Sequence, residues 1–305
     1  MSDARASIDP LPSGWRVWIA GARPRTLPAA LVPVLVGTAC AAGRTDLVAW
    51  RFVAAAVVAL ALQVGTNYAN DYSDGKRGTD SAAHRVGPLR LVGSGLVAGR
   101  LVKRAALVSF GIAALAGLAL AVAVGWELLV VGAAALLAGW FYTGGPRPYG
   151  YLGLGEVFVF VFFGVVATAG SAYVQEEAIS GLAVGASVPV GLLATALLVV
   201  NNLRDIPGDA ASGKRTLAVR LGDARTRVLY VGLLVGAAVA VPLVAGLGDR
   251  PAAALALAAV PLGRRPVLEV LSGARGAALI GVLGATGLVQ LTYGGLLALG
   301  LWLSA

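Results

Sequence analysis

One cysteine, Cys40, and one histidine, His84, are all that this chain of 305 residues holds of either type. A lone thiol excludes an internal disulfide framework and a cysteine-based zinc site, and leaves Cys40 to pack as a small hydrophobe. His84 has no partner in view and reads as a loop residue rather than a base. Charge is scarce too: Asp, Glu, Lys and Arg make up 13% of the chain, against roughly a quarter in soluble domains. With 58% hydrophobic residues, that shortage excludes a soluble domain.

Apolar runs of membrane-spanning length recur from about residue 27 to the C-terminus. The expected fold is all-α: a polytopic membrane bundle of about nine transmembrane helices, at roughly 27–43, 52–72, 105–124, 127–142, 155–173, 184–203, 228–247, 251–263 and 277–303. The eighth segment is short for a span. The stretch through Trp18 has no apolar core and does not read as a cleavable signal peptide. Nothing marks a second domain, so residues 1–305 are read as one. The net charge of +9 needs no nucleic acid to explain it. With the N-terminus in the cytoplasm, Arg44, Arg51 and Arg250 alone fall in outer loops, and the remaining Lys and Arg lie inside, as the positive-inside rule asks. The expected partner is the lipid bilayer.

Two acidic clusters interrupt the apolar runs. The first reads Asn67-Tyr68-Ala69-Asn70-Asp71-Tyr72-Ser73-Asp74, with Asp80 after a glycine-bounded turn; the second reads Asn201-Asn202-Leu203-Arg204-Asp205-Ile206-Pro207-Gly208-Asp209. They lie about 131 residues apart, with Asn70 falling on Asn201 and Asp74 on Asp205. That offset predicts two internally related halves around a central cavity, each with its acidic cluster at the cytoplasmic end of its second helix. Carboxylates at membrane depth are costly and are kept mainly where they bind ions or substrate. Helical spacing groups Asn67, Asn70 or Asp71, and Asp74 on one face, and Asn201 or Asn202, Asp205 and Asp209 on another, with Pro207-Gly208 expected to end the second helix. Hard oxygen donors of this kind suit Mg²⁺ completed by water and phosphate oxygens. Two such faces have the makings of a cage for two Mg²⁺ bridged by a diphosphate. The plainer alternative is helix-end ion pairing with nearby arginines.

Cations follow each cluster: Lys76, Arg77, Arg85 and Arg90 after the first, Arg204, Lys214 and Arg215 after the second. They suit the charge that a diphosphate develops as it leaves, or ordinary membrane anchoring, and for Arg85, Arg90, Lys214 and Arg215 both readings stay open. The glycine-punctuated stretch from Ser73 to Arg104 is long enough, beside an acidic site, to act as a lid.

The pattern Asn70-Asp71-x-x-Asp74 with Asp80, then Asn202-x-x-Asp205-x-x-x-Asp209, resembles the UbiA superfamily of intramembrane aromatic prenyltransferases. Further strings narrow the likeness to the branch that prenylates 1,4-dihydroxy-2-naphthoate: Ala22-Arg23-Pro24-Arg25-Thr26-Leu27-Pro28, the run Arg85 to Gly95, the run Tyr142 to Pro146, the run Tyr149 to Glu156, and Gly213 to Gly222. The superfamily's third first-cluster aspartate often stands four residues after the second; here that position is Gly78, and Asp80 takes the role.

The resemblance implies a bacterial cell (inner) membrane enzyme of menaquinone synthesis. Metal is expected on Asp71, Asp74, Asp80, Asp205, Asp209 and Asn70. The donor is a polyprenyl diphosphate, met by Asn67, Asn202 and the cations Lys76, Arg85, Arg90, Lys214 and Arg215. The acceptor is the aromatic acid, which loses carbon dioxide, and its carboxylate is expected on Arg23 or Arg25, for which lipid anchoring is the alternative. An apolar cavity shields an allylic cation from water, with Tyr68, Tyr72 and Tyr142 offering ring faces; Tyr149 and Tyr151 read better as interface anchors. Other acceptors of the superfamily (4-hydroxybenzoate, homogentisate, haem or chlorophyll precursors) and an ion-coupled transporter remain as alternatives, although transporters set their charges nearer the bilayer midplane.

Overall fold

A computed structural model describes residues 13–79 and 90–305, and among these residues there is no β-strand. Eleven α-helices follow one another: α1 (Trp15–Ala22), α2 (Pro28–Ala41), α3 (Ala49–Arg77), α4 (Gly99–Ala123), α5 (Glu127–Phe141), α6 (Gly155–Val159), α7 (Ala167–Glu176), α8 (Gly181–Ala211), α9 (Leu217–Leu247), α10 (Arg264–Leu271) and α11 (Ala278–Leu303). A π-helical stretch, Phe160–Val166, joins α6 to α7, so that Gly155–Glu176 runs as one span. Short 3-10 turns occupy Pro24–Thr26 and Tyr149–Leu152, and a longer 3-10 helix fills Pro251–Gly263.

Each predicted segment is helical, but the count of nine full spans is not reached on length. Among the described residues, 6 helices are long and apolar enough to cross a membrane, or 7 if α1 and α2, bent by 53° at the Pro24–Thr26 corner, are taken as one. The other two predicted segments are α5, with 15 residues, and Pro251–Gly263, with 13. The latter gains reach from its geometry. At about 2.0 Å rise per residue a 3-10 helix of this length extends about 26 Å, most of the roughly 30 Å hydrocarbon core, where an α-helix would extend about 20 Å. A second departure concerns Pro207-Gly208, where α8 was expected to end. The helix continues to Ala211. Pro207 is exposed and lies near the helix end at Ala211, so its missing N–H interrupts only the last part of the hydrogen-bond ladder.

The two halves pack alike. In the first, α3 lies most extensively on α4; in the second, α8 lies on α9; α11 closes the bundle against α2 and the 3-10 helix. Apolar side chains point both ways, as a bilayer solvent allows. Val32, Val36, Leu182, Val190, Leu297 and Leu301 fill an inner core, while Val108, Leu115, Val130, Val239 and Leu243 face outward. Since lipid is as apolar as leucine, close helix contact depends on small residues. A Cβ at Gly37 would sit 2.1 Å from the Thr168 carbonyl oxygen, and one at Gly164 would sit 2.5 Å from the Cα of Gly191.

Gly37 therefore admits no side chain without separating α2 from α7. Gly37→Ala is expected to destabilise the protein by about 1–3 kcal/mol, the usual range for overpacking, read as an earlier thermal transition in detergent. An unchanged transition would show that α2 and α7 do not rely on this contact.

Candidate active site

An α-helix turns 100° per residue, and that rotation divides the first cluster. Gln63, Asn67, Asn70 and Asp74 fall on one face of α3 and line a cavity of about 1160 Å³. Tyr68 and Tyr72 fall on the far side. The Tyr68 hydroxyl donates to the Trp18 carbonyl at 2.8 Å and its ring meets Trp18 edge-on, while Tyr72 lies under Lys103. Both tyrosines expected at the cavity thus serve packing against α1 and α4. Asp71 lies between the two faces. Its oxygens accept the backbone N–H groups of Leu91 and Val92 at 2.8 and 2.9 Å, and it is not among the cavity-lining residues. Asp71, expected as a metal ligand, thus also fastens the segment that carries Arg90.

Asp74 is the most heavily engaged acid. It is 2% exposed and accepts the Tyr151 hydroxyl at 2.6 Å and the Lys214 ammonium at 3.0 Å, with Arg90 at 3.6 Å. Tyr151 is thus a cavity residue and not an interface anchor. Burial, then the charge of Asp74, raises its pKa above the usual phenol range, so it stays a hydrogen donor. Arg77 and Lys214 both sit over the Tyr151 ring, at 5.3 and 4.9 Å from its centre. Tyr149 also lines the cavity, edge-on to Tyr142 and stacked 3.9 Å from Phe158. Tyr142 also lines the cavity.

Around this hub, side chains tie the walls together. Asn67 donates to the Ala22 carbonyl at 2.9 Å, and Gln63 to the Thr26 hydroxyl at 3.0 Å, fixing the α1–α2 corner to α3. Asn70 accepts from Thr143 at 2.7 Å. On α8, Asn201, Asn202, Asp205 and Asp209 all line the same cavity. Asn202 donates to Glu156 at 2.9 Å, and Arg204 grips Asp205 with two bonds of 2.7 Å. Arg23 lines the cavity from a left-handed backbone, φ 55°, a conformation held against steric preference.

Several expected residues lie elsewhere. Arg25, Lys76 and Arg215 are exposed and do not line the cavity; the Arg215 backbone N–H donates to the Tyr151 carbonyl. Asp80, Arg85 and His84, with the centre of the expected lid, lie outside the described residues. Sequence reading missed Thr143, Tyr151 as a cavity residue, and Glu156. The last had a visible signal, being a carboxylate at the head of an apolar span.

The far walls are apolar. Ala55, Val58 and Ala59 of α3, Gly117 and Leu118 of α4, and Leu129 and Gly132 of α5 line the same space, so from Asp74 to Ala55 it follows α3 for about 28 Å. Among the described residues no three His, Cys, Asp or Glu side chains gather as a ready-made metal cage. The donors at the polar end are nevertheless hard oxygens (Asn70, Asp74, Asn201, Asp205, Asp209), which fit an ion that keeps waters and takes substrate oxygens.

A bundle of apolar spans around a long cavity with its polar groups gathered at one end defines a multi-pass membrane protein. Residues 30–267 match the UbiA prenyltransferase family, and the chain belongs to that family. It is 51% identical to a 1,4-dihydroxy-2-naphthoate octaprenyltransferase of Mycobacterium tuberculosis over 90% of this chain and 93% of that protein, and 38% identical to one of Escherichia coli over 75% and 76%. In fold it resembles a UbiA homolog from Archaeoglobus fulgidus bound to GPP and Mg²⁺, with a TM-score of 0.67 at 14% identity, over 92% of this chain and 99% of that one.

The Asp71 contacts carry their own test. Asp71→Ala is expected to speed amide exchange at Leu91 and Val92 by at least tenfold, because two buried donors lose their acceptor. Exchange unchanged at both amides would remove the holding role.

Proposed function

We propose that this enzyme transfers a polyprenyl group from polyprenyl diphosphate to 1,4-dihydroxy-2-naphthoate, with loss of carbon dioxide. The observation that carries the reading is one continuous cavity, with both Asn/Asp faces at its polar end and an apolar body beyond. A polyprenyl diphosphate has the same division, and an apolar chain about as long as the body follows α3 away from Asp74. The choice of naphthoate over other acceptors is supported by the naming of the relatives.

Mg²⁺ would be held by Asp74, Asp205 and Asp209, aided by Asn70 and Asn201; when bound it supplies positive charge that lowers the barrier to loss of diphosphate. The number of ions is taken as two, one for each face. Arg204 already engages Asp205, but each carboxylate oxygen has a second lone pair. Lys214 and Arg90, on Asp74, place fixed cations beside the leaving group, where charge develops. Asp71 acts at one remove by holding Arg90 in place. The rings of Tyr142, Tyr149 and Phe158 offer π faces to the allylic cation, and the apolar walls keep water from it. The balance closes without net proton loss: one C–O bond of the donor breaks, one C–C bond forms to the ring, and the electron pair left by departing carbon dioxide restores aromaticity. No general base is required of the single histidine.

The polar end faces the cytoplasm in this proposal, because the basic residues crowd that side. In a Cys40→Ala background, a cysteine at Ser212 should be labelled from the cytoplasm and one at Thr45 from outside; the reverse pattern would overturn the orientation.

Activity itself is checked with purified protein, a labelled prenyl diphosphate and a panel of aromatic acids. Turnover on the naphthoate should stop in EDTA, and Asp74→Asn, Asp205→Asn and Asp209→Asn should each lower kcat by about 10²-fold or more, comparable with removing a positioned charge stabiliser. Full activity in EDTA would end the metal role. Preference for 4-hydroxybenzoate would keep the family and overturn the acceptor.

A further inference from the structure

One buried carboxyl near the polar end of the cavity has no part in the proposed reaction. Glu156 opens the span Gly155–Glu176 and is 5% exposed. Two glycines place it there. Gly153, at φ 76°, closes the Tyr149–Leu152 turn in a backbone that favours glycine. At Gly155 an added Cβ would lie 3.2 Å from Tyr142 Cε2 and 3.5 Å from Leu198 Cδ2, so the first turn of α6 packs directly behind Tyr142, which lines the cavity. Glu156 does not line it. It stands behind the wall, where α6 lies on α8.

The two oxygens of Glu156 are unequally served. Oε1 accepts from Nδ2 of Asn202, on α8, at 2.9 Å in a buried bond. Oε2 is buried with no hydrogen-bond partner among the described residues. A half-satisfied carboxyl inside a membrane bundle is a net cost to the fold, so stability alone does not account for it. The side chain it grips does line the cavity. Asn202 stands three residues before Asp205 and seven before Asp209, spacings that keep all three on one side of α8. An amide shows donors at nitrogen and an acceptor at oxygen, and its partners decide which end faces where. A carboxylate only accepts, so it admits only the nitrogen. Asn70, on α3, is under no such constraint, because its partner is the Thr143 hydroxyl, which can serve either end.

We propose that Glu156 is a positioning residue: from behind the wall it fixes Asn202 by its nitrogen and leaves the carbonyl oxygen as the end offered to the cavity. The inference deepens the prenyl-transfer reading and rests on its use of Mg²⁺. Such an ion keeps several waters, and those waters are hydrogen donors that need acceptors. A neutral oxygen beside Asp205 and Asp209 accepts from a water without adding negative charge where a diphosphate must also fit. The reverse orientation would turn N–H donors toward the same waters and oppose them. Partners of this outer kind orient what surrounds a metal and set its affinity.

Metal binding is read directly on detergent-purified full-length protein from the paramagnetic resonance signal of free Mn²⁺, with geranyl S-thiolodiphosphate as an unreactive donor and no acceptor. Glu156→Leu keeps the bulk but removes the hydrogen-bond acceptor, and should weaken Mn²⁺ binding about tenfold, the lower end for loss of an outer partner of a metal site. Its thermal transition should not fall, since apolar atoms replace a half-matched buried carboxyl. Glu156→Gln keeps an oxygen for Asn202 and should bind Mn²⁺ within threefold of wild type. Asn202→Ala should weaken binding as Glu156→Leu does. The double variant should lie within twofold of Asn202→Ala, because Glu156 acts only through Asn202. Binding within twofold of wild type in Glu156→Leu would overturn the proposal, and so would losses that multiply in the double variant. Weaker binding with earlier unfolding in the Leu and Gln variants alike would also overturn it, marking Glu156 as a residue of the fold. If the wild type binds Mn²⁺ with the donor analogue yet yields no prenylated naphthoate, the function proposed above fails, while this comparison still decides the role of Glu156.

Discussion

The Asp74 carboxylate is the point on which the two halves converge. It belongs to α3 of the first half, Lys214 follows α8 of the second, and Tyr151 comes from the connection between them. A carboxylate this deeply buried is tolerable only with its charge compensated and its lone pairs occupied. The contact therefore does more than neutralise. It holds the polar ends of α3 and α8 toward one cavity, across 140 residues of sequence, and it gathers cations there.

Satisfying Asp74 constrains its surroundings in turn. Arg90 reaches it from a segment fastened by Asp71, and Lys214 from a loop whose backbone N–H returns to Asp209 at 2.8 Å. Tyr151 is set by a 3-10 turn whose own carbonyl accepts from Arg215. Polar groups at this end are hydrogen-bonded in chains, as a low-dielectric setting requires. The other end of the cavity needs no such network. There, glycine and alanine on α4 and α5 leave space, and Gly132 meets nothing within 4 Å of an added Cβ. Thus one helix pair, α3 and α8, supplies most of the cavity's polar side chains, while α4 and α5 shape volume.

Family membership agrees with this division of labour. The strings that resemble the superfamily stop near residue 222, and the helices beyond it contribute walls. Yet Asp223, Arg275 and Leu283 of that later part line the cavity, so absence of a motif did not mean absence from the site. Arg275 lines the cavity from the short connection between α10 and α11, where no periodic pattern marks it.

From sequence alone, hydropathy determined the class of fold, because a bilayer admits only internally hydrogen-bonded helices over such runs. Spacing determined that Asn67, Asn70 and Asp74 share a face, because the α-helical period is local. The duplicated acidic pattern also pointed to α8. What only the tertiary structure decided was direction and partnership. Asp71 differs from Asn70 by one position, yet 100° of rotation takes it from the cavity wall to the Leu91–Val92 backbone. Tyr68 and Tyr72 turn away while Tyr149 and Tyr151, read as anchors, turn in. Arg25 is exposed and Arg23, two residues earlier, lines the cavity through a left-handed backbone. Sequence carries the period of each helix, but the angle at which a helix presents its faces is set by packing against neighbours far along the chain.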